Sequence, residues 1–228
     1  MNPTRQHASL SEAERLNAVA SLGDPVRKRL FELLRESPHA LSRDDCAQAL
    51  GLPKSTIRAQ LDRLAADGLL LVEFRKVGER TGPGSGRPTK LYTVAVGEVA
   101  ASVPARHYDL AAELLAAAIQ RSIDSSEDVG DALAQVAFEA GKRLGAGAGT
   151  IHNLLADTGY DPRPDGQGGT IMANCPFHRL SREHTGVVCQ LNGSLLNGVL
   201  EGCADATHSI EPDAELSHCC ARIVPRGA

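Results

Sequence analysis

Apolar side chains recur every three or four positions through residues 11–68, which is the spacing of amphipathic helices. Asp24 and Ser42 precede two of the apolar segments and are in position to cap helices, while Gly51 and Gly68 are in position to end them. The pattern therefore predicts four helices, over residues 11–22, 26–35, 43–50 and 53–67.

The fourth predicted helix has two different faces. Ile57, Leu61 and Leu64 recur at i, i+4 and i+7 and form an apolar seam. The opposite face is polar and consists of Lys54, Ser55, Thr56, Arg58, Gln60 and Arg63. Such side chains can donate hydrogen bonds to base edges and phosphates, so the segment is typical of a recognition helix, although an ordinary surface helix would show the same pattern. The preceding helix and the short turn at Gly51 complete a predicted helix-turn-helix.

After Gly68 the apolar pattern changes from the helical period to short β-type runs. Residues 69–76 and 90–96 predict two strands, joined by a connection with four glycines, two prolines and two arginines. A hairpin directly after a recognition helix is typical of a wing. Arg80, Arg87 and Lys90 are therefore predicted to contact phosphates or the minor groove, the alternative being a loop without a role.

The order of these elements, the Asp24-Pro25-x-Arg27 start of the second helix and the GRPTKLY segment resemble the winged-helix domain of ArsR-family bacterial repressors. The resemblance covers residues 1–96 and implies a winged helix-turn-helix domain that binds double-stranded DNA. Arsenic and cadmium sensors of the family carry paired cysteines in the third helix, whereas this chain has only Cys46 there. Cys46 is therefore predicted to be a buried core residue.

Residues 97–148 are predicted to be a helical linker and dimerisation region. A short segment with Gly97 and Pro104 leads into two apolar-striped helices, over 106–121 and 127–144. A homodimer is expected because a two-fold DNA site requires paired DNA-binding heads. For the second helix, burial within one protomer is an equally open alternative.

Residues 149–228 are predicted to be an α+β sensor domain. The pattern indicates a helix ending near residue 156, a hairpin over 159–164 and 169–173, a helix over 182–200, and strands over 207–210 and 221–224. The whole chain is therefore expected to be mostly α with small β elements, divided into residues 1–96, 97–148 and 149–228.

Charge is distributed unequally along the chain. The net charge is −4, but residues 1–96 hold 15 Lys and Arg against 11 Asp and Glu, whereas residues 97–228 hold 9 against 17. A basic first segment suits a polyanionic partner such as DNA. The chain has no run of eighteen apolar residues and its start is polar, so we expect a cytoplasmic protein with no membrane partner.

Five of the six cysteines lie between Cys175 and Cys220, which in a cytoplasmic chain favours metal or redox chemistry over structural disulfides. Thiolates gathered from several elements can hold an iron–sulfur cluster. On a continuous helix, however, Cys189 and Cys203 would lie about 21 Å apart. The preferred ligands are therefore Cys175, Cys189 and one of Cys219 and Cys220, with Cys203 in reserve.

The cysteine spacing and the Asn174-Cys175-Pro176 segment resemble the SufR family of iron–sulfur-binding winged-helix repressors, which control cluster-assembly genes. This resemblance implies a transcriptional regulator, a repressor, whose cluster controls DNA affinity. Two alternatives remain open for the cysteines. His178, with Cys175 in a Cys-x2-His unit, could help to complete a zinc site, as could His184 or His218, and free thiols could instead line a small-molecule pocket.

An enzyme is the competing class of function. Cys175 or Cys189 could act as a nucleophile beside His178 or His184. The sequence has no glycine-rich phosphate loop and no recognisable nucleophile elbow, and its first segment carries a complete predicted DNA-binding head. We therefore predict no catalytic residues.

Overall fold

The computed structural model describes residues 10–75, 88–213 and 219–227. These residues divide into two compact units, with the boundary between Ala101 and Ser102. Helices predominate, and each unit contains one small antiparallel sheet, so the predicted fold class of mostly α with small β elements is confirmed. Among the described residues, no helix is both long enough and apolar enough to cross a membrane.

Four helices and a three-stranded sheet make up the first unit. The helices are α1 Glu12–Ser21, α2 Pro25–Glu36, α3 Arg43–Leu50 and α4 Lys54–Ala66. The caps lie where the sequence predicts them. Asp24 accepts hydrogen bonds from the first N–H groups of α2, Ser42 and Asp45 form a capping box on α3, and Gly51 ends α3 with a φ of 65°.

The first sheet completes the core of this unit. Its strands are β1 Leu41–Ser42, β2 Leu70–Arg75 and β3 Thr89–Val94, in the order β1-β3-β2. The apolar seam of α4, formed by Ile57, Leu61 and Leu64, is fully buried against this core. Cys46 is also completely buried there, as predicted, and burial raises the pKa of its thiol to about 11.

The second unit combines five helices with a four-stranded sheet. The helices are α5 Tyr108–Ser125, α6 Val129–Gly147, α7 Ile151–Asp157, α8 His178–Glu183 and α9 Thr185–Gly202. The strands are β4 Pro162–Pro164, β5 Thr170–Met172, β6 His208–Pro212 and β7 Ala221–Pro225, in the order β4-β5-β7-β6. Helix α9 therefore starts and ends slightly later than the predicted helix over 182–200, and the short helix α8 precedes it.

Helices α6 and α9 approach each other closely through glycines. A Cβ added at Gly141 would overlap the backbone of Leu195, and one added at Gly198 would overlap the backbone of Phe138. Gly145 and Gly202 repeat this contact one turn further along their helices. Backbones can meet at this distance only where side chains are absent.

Both α5 and α6 contribute to the core of the second unit, together with Met172 and Leu191. The predicted linker over 97–148 is therefore not a separate compact segment, and no boundary between units falls after residue 148. Part of α5 nevertheless remains uncovered. Ile119 and Ile123 are 52% and 69% exposed.

Candidate metal centre and nucleic-acid interface

Three parts of the second unit bring four of the cysteines together. Cys175 follows β5, Cys189 lies in the second turn of α9, and Cys219 and Cys220 immediately precede β7. Strands β5 and β7 pair antiparallel, so the end of β5 lies beside the start of β7. The Cys219 N–H donates to the Met172 carbonyl oxygen at 3.2 Å and fixes this proximity.

The four thiols form a chain of hydrogen bonds, here called the thiol centre. Hydrogen bonds link Cys175 to Cys219, Cys219 to Cys220, and Cys220 to Cys189. Within the described ranges, no three His, Cys, Asp or Glu side chains already have the arrangement of ligands around one metal ion. The centre is thus a set of neighbouring sulfurs, the donor type that iron–sulfur clusters and zinc prefer.

The four thiols differ in acidity because of these hydrogen bonds. Bonds from Cys219, Cys189 and Asn192 to the Cys220 sulfur outweigh its burial and lower the pKa of the Cys220 thiol to about 6. Burial, the hydrogen bond to Cys220 and its charge raise the pKa of Cys189 to about 12. Cys220 is therefore the more acidic of these two neighbouring thiols.

The other two thiols form a second unequal pair. The hydrogen bond from Cys219, together with those from the Phe177 backbone and Ser181, lowers the pKa of Cys175 despite its burial. Hydrogen bonds to Cys175 and Cys220, followed by burial, raise the pKa of Cys219. The thiols with lowered pKa values, Cys175 and Cys220, therefore alternate with those whose pKa values are raised along the chain of hydrogen bonds. Thiolate is the form that binds metals, and a lowered pKa favours it.

Asn192 lies beneath the thiol centre and is completely buried. Its Nδ2 donates to the Cys219 sulfur at 3.2 Å and to the Cys220 sulfur at 3.6 Å. Its Oδ1 accepts a hydrogen bond from the hydroxyl of buried Tyr160 at 2.6 Å. Sequence reasoning missed this residue. The signal was available, because Asn192 is a polar position one turn after Cys189 on the apolar side of α9.

The loop that carries Cys175 is held by the segment just before α5 and by Gly159, which follows α7. The Asn174 side-chain amide donates to the carbonyl oxygens of Gly159 at 2.5 Å and Ala105 at 3.1 Å. Arg106 donates to Asn174 Oδ1 at 2.5 Å and to the Cys175 carbonyl oxygen at 3.4 Å. The position of Cys175 is therefore tied to the chain segment that enters the second unit.

Cys203 lies apart from the thiol centre. It is the C-cap of α9, and its sulfur contacts the Gly145 carbonyl oxygen at 3.5 Å. Helix α9 is continuous from Thr185 to Gly202, so about 21 Å separates Cys203 from Cys189 along the helix. Within the described part of the chain, Cys203 has no hydrogen bond to another thiol.

The candidate histidine ligands are placed differently. His178 begins α8 and is half-buried, while His184 is exposed between α8 and α9. His218 lies outside the described residues. Of the three, His178 is the one that the described chain holds near Cys175. Its backbone N–H donates to the Cys175 carbonyl oxygen at 3.1 Å.

An apolar void lies beside Tyr160 and Phe177, between α5, α7 and α9. Its volume is about 20 Å³. This is room for one water molecule, whereas small-molecule sites usually measure about 300 Å³ or more. The void offers little support for the alternative in which the thiols line a ligand pocket.

The polar face of α4 is exposed in the first unit, but its cations have acidic neighbours. The Arg58 side chain is 69% exposed and lies 3.7 Å from Asp62, which also binds Lys90 at 3.2 Å. Lys54 binds Asp44 at 2.8 Å. Sequence reasoning missed Asp62, although Arg58 and Asp62 have the i, i+4 spacing of a helix-surface ion pair.

The remaining predicted contact residues fall into three groups. Ser55 is exposed and Thr56 half-buried, while Arg63 is exposed and paired with Asp67 at 2.9 Å. Gln60 is half-buried, and its Oε1 accepts a hydrogen bond from Arg27 of α2 at 3.0 Å. Through this hydrogen bond, Gln60 contributes to the packing of α4 against α2. Two of the predicted contacts, Arg80 and Arg87, lie outside the described residues.

No protein-family model matches the chain, and no curated protein matches it either.

Proposed function

We propose that this protein is a DNA-binding transcriptional regulator, a repressor, whose C-terminal cysteines bind an iron–sulfur cluster that controls DNA affinity. The observation that carries this proposal is the convergence of four thiols, from distant parts of the sequence, in the second unit. Buried thiols with no metal to bind would more often be dispersed through the core, as Cys46 is in the first unit.

The first unit supports the DNA-binding part of the proposal. Helices α3 and α4 are joined by a short turn at Gly51, and α4 buries its apolar seam while exposing Lys54, Ser55 and Arg58. The antiparallel pair β2 and β3 follows directly, as a wing follows a recognition helix. We interpret this arrangement as a winged helix-turn-helix that places α4 in the major groove of double-stranded DNA.

The thiol centre fits an iron–sulfur cluster in the chemistry of its donors. Cys175, Cys189, Cys219 and Cys220 would hold the cluster, and they supply four sulfurs in a largely buried, apolar setting. When bound, a cluster supplies a group that responds to iron supply and to oxidants. The acidic thiols Cys175 and Cys220 would enter such a site with the least loss of protons.

A homodimer is part of the same proposal. The outer face of α5 leaves Ile119 and Ile123 exposed, which favours contact with a second copy of the chain. Two DNA-binding heads would then read a two-fold operator.

The proposal is tested by anaerobic reconstitution with ferrous iron and sulfide. We expect visible absorbance in the wild-type protein and its loss in Cys175→Ser and Cys189→Ser, because each change removes a thiolate. Cys203→Ser is the matched control and should keep the absorbance. Loss of one of Cys219 and Cys220 should be partly rescued by the other, whereas loss of both should not.

Three results would contradict the proposal in different ways. Colourless protein that binds stoichiometric zinc through the same cysteines would favour a zinc site. Protein that binds neither would favour a metal-free regulator. Loss of the absorbance in folded Cys203→Ser protein would show that the ligand set is wrong.

A further inference from the structure

We propose that Asn192, oriented by Tyr160, is a positioning residue that sets the reduction potential of the group held by Cys219 and Cys220. Its side-chain N–H groups point at both sulfurs, at 3.2 Å and 3.6 Å. This inference rests on the proposed function, since it concerns the same thiol centre. It adds a residue that is not a ligand but acts on two ligands.

The orientation of the Asn192 amide follows from its neighbours. The Tyr160 hydroxyl lies 2.6 Å from the Asn192 amide oxygen and donates its proton to it. The amide nitrogen is then left facing the two sulfurs, and its two N–H groups match the two acceptors. In the reverse orientation the amide oxygen would face the two sulfurs, and both N–H···S hydrogen bonds would be lost.

Burial increases the energetic importance of the hydrogen bonds that Asn192 makes. Asn192 has no exposed surface, and Tyr160 is only 3% exposed. A buried amide without hydrogen bonds destabilises the fold, so a leucine would be the ordinary residue at this position of an apolar helix. The asparagine is explained by the hydrogen bonds that its amide oxygen makes with Tyr160 and its amide nitrogen makes with the two sulfurs.

Hydrogen bonds to ligand sulfurs are one of the factors that set the potential of iron–sulfur clusters. An N–H donor stabilises negative charge on sulfur, and the reduced cluster carries more negative charge than the oxidised one. Donation from Asn192 therefore favours the reduced state and raises the potential. Partners of this kind tune a metal site without binding the metal.

Three variants separate this role from simple packing. Asn192→Asp keeps the shape of the side chain and replaces the donor by an acceptor. Tyr160→Phe keeps the ring and removes only the hydroxyl that orients the amide. Asn197→Asp is the matched control, because Asn197 is exposed on the same helix and its amide donates to the Gly193 carbonyl oxygen.

The midpoint potential of the reconstituted cluster is measured for each variant by anaerobic redox titration of its visible absorbance. We expect the potential to fall in Tyr160→Phe, to fall further in Asn192→Asp, and to stay at the wild-type value in Asn197→Asp. Folded, loaded Tyr160→Phe and Asn192→Asp proteins with the wild-type potential would overturn the inference. Tyr160→Phe keeps the test decisive if Asn192→Asp does not fold.

Cobalt(II) tests Asn192 separately from the identity of the native metal. Thiolates bound to Co²⁺ give a sulfur-to-metal charge-transfer band, and an N–H donor lowers the energy of the sulfur electrons. We expect this band to move to longer wavelength in Tyr160→Phe and not in Asn197→Asp. If the band moves in a protein that forms no cluster, the role of Asn192 is supported and the iron–sulfur proposal is contradicted. If the band does not move, the role of Asn192 is overturned. Failure of the wild-type protein to bind either probe would overturn both.

Discussion

At the scale of single residues, the thiol centre shows how neighbouring cysteines acquire different chemistry. The hydrogen bonds that Cys220 accepts lower its pKa to about 6, whereas Cys203, half-exposed at the end of α9, has its pKa raised by burial and by Asp205. Both thiols are partly accessible, so acidity rather than exposure separates them.

This difference predicts a pH dependence of thiol alkylation in the metal-free protein. Thiolate is the reactive form, and a lowered pKa means that it forms at lower pH. Labelling of Cys220 by iodoacetamide should rise as the pH passes through about 6, whereas labelling of Cys203, whose pKa is raised, should rise only at a pH above that of an ordinary thiol. Buried Cys46, with a pKa of about 11, should stay unlabelled. Mass spectrometry of peptides checks this, and Cys220 labelling that rises together with that of Cys203 would contradict it.

A second residue-scale prediction concerns α4. Arg58 lies nearer the start of the helix, the end that meets base edges, whereas Arg63 lies near its end. Arg58→Ala should therefore lose about 1–3 kcal/mol of affinity on DNA selected by the protein from a random pool, and should relax preference at one base pair. Arg63→Ala should weaken binding to selected and random DNA alike. Fluorescence anisotropy checks both, and equal losses on both DNAs for Arg58→Ala would remove its role in reading bases.

At the scale of secondary-structure elements, the helices and strands could largely be predicted from the sequence because their signals are local. Asp24, Ser42 and Gly51 mark helix ends by their own chemistry, and the alternation after Gly68 marks the first hairpin. Cys175 and Cys189 could likewise be placed on the correct elements.

Contacts between distant elements could not be predicted in this way. The glycines of α6 and α9 are ordinary helix-weakening residues in isolation, and only the crossing of the two helices explains them. The role of Asn192 likewise depends on its hydrogen bond with Tyr160, which is 32 positions away in the sequence. For the same reason, the sequence left open whether α6 packs within its own protomer or against a second copy.

The contact between α6 and α9 gives an element-scale prediction. Gly141→Ala or Gly198→Ala should destabilise the protein by at least about 1–3 kcal/mol, because the added methyl group meets backbone that cannot move aside. Gly193→Ala is the control on α9, where a Cβ would meet nothing within 4 Å. It should be neutral or stabilise the helix by up to about 1 kcal/mol. Urea unfolding checks all three variants, and equal midpoints would show that the helices are not in backbone contact.

At the scale of the whole molecule, the proposed function requires a change at the thiol centre to alter DNA binding. Within the second unit, Arg106 and Asn174 bind the Cys175 loop to the segment that follows the boundary between the units. Coupling between two sites is a free energy, commonly about 1–3 kcal/mol, or about 5-fold to 150-fold in affinity.

This connection predicts that Arg106→Ala reduces the effect of the cluster on DNA affinity without preventing cluster formation. The variant removes the hydrogen bonds to Asn174 and the Cys175 carbonyl oxygen but none of the four sulfurs. Absorbance spectra check the loading, and anisotropy of loaded and metal-free protein checks the coupling. An unchanged affinity ratio would show that the signal travels by another route.

The central claim is that a cluster held by the thiol centre controls DNA affinity. Its most direct test is the dissociation constant of one selected DNA site for a single wild-type preparation, measured anaerobically with the cluster loaded and after its removal by chelation. Cys203→Ser should reproduce the wild-type ratio of the two constants, and Cys189→Ser should show the metal-free affinity throughout. We predict that loading changes the constant by about 5-fold to 150-fold in wild-type protein. Equal constants for loaded and metal-free protein would contradict the claim.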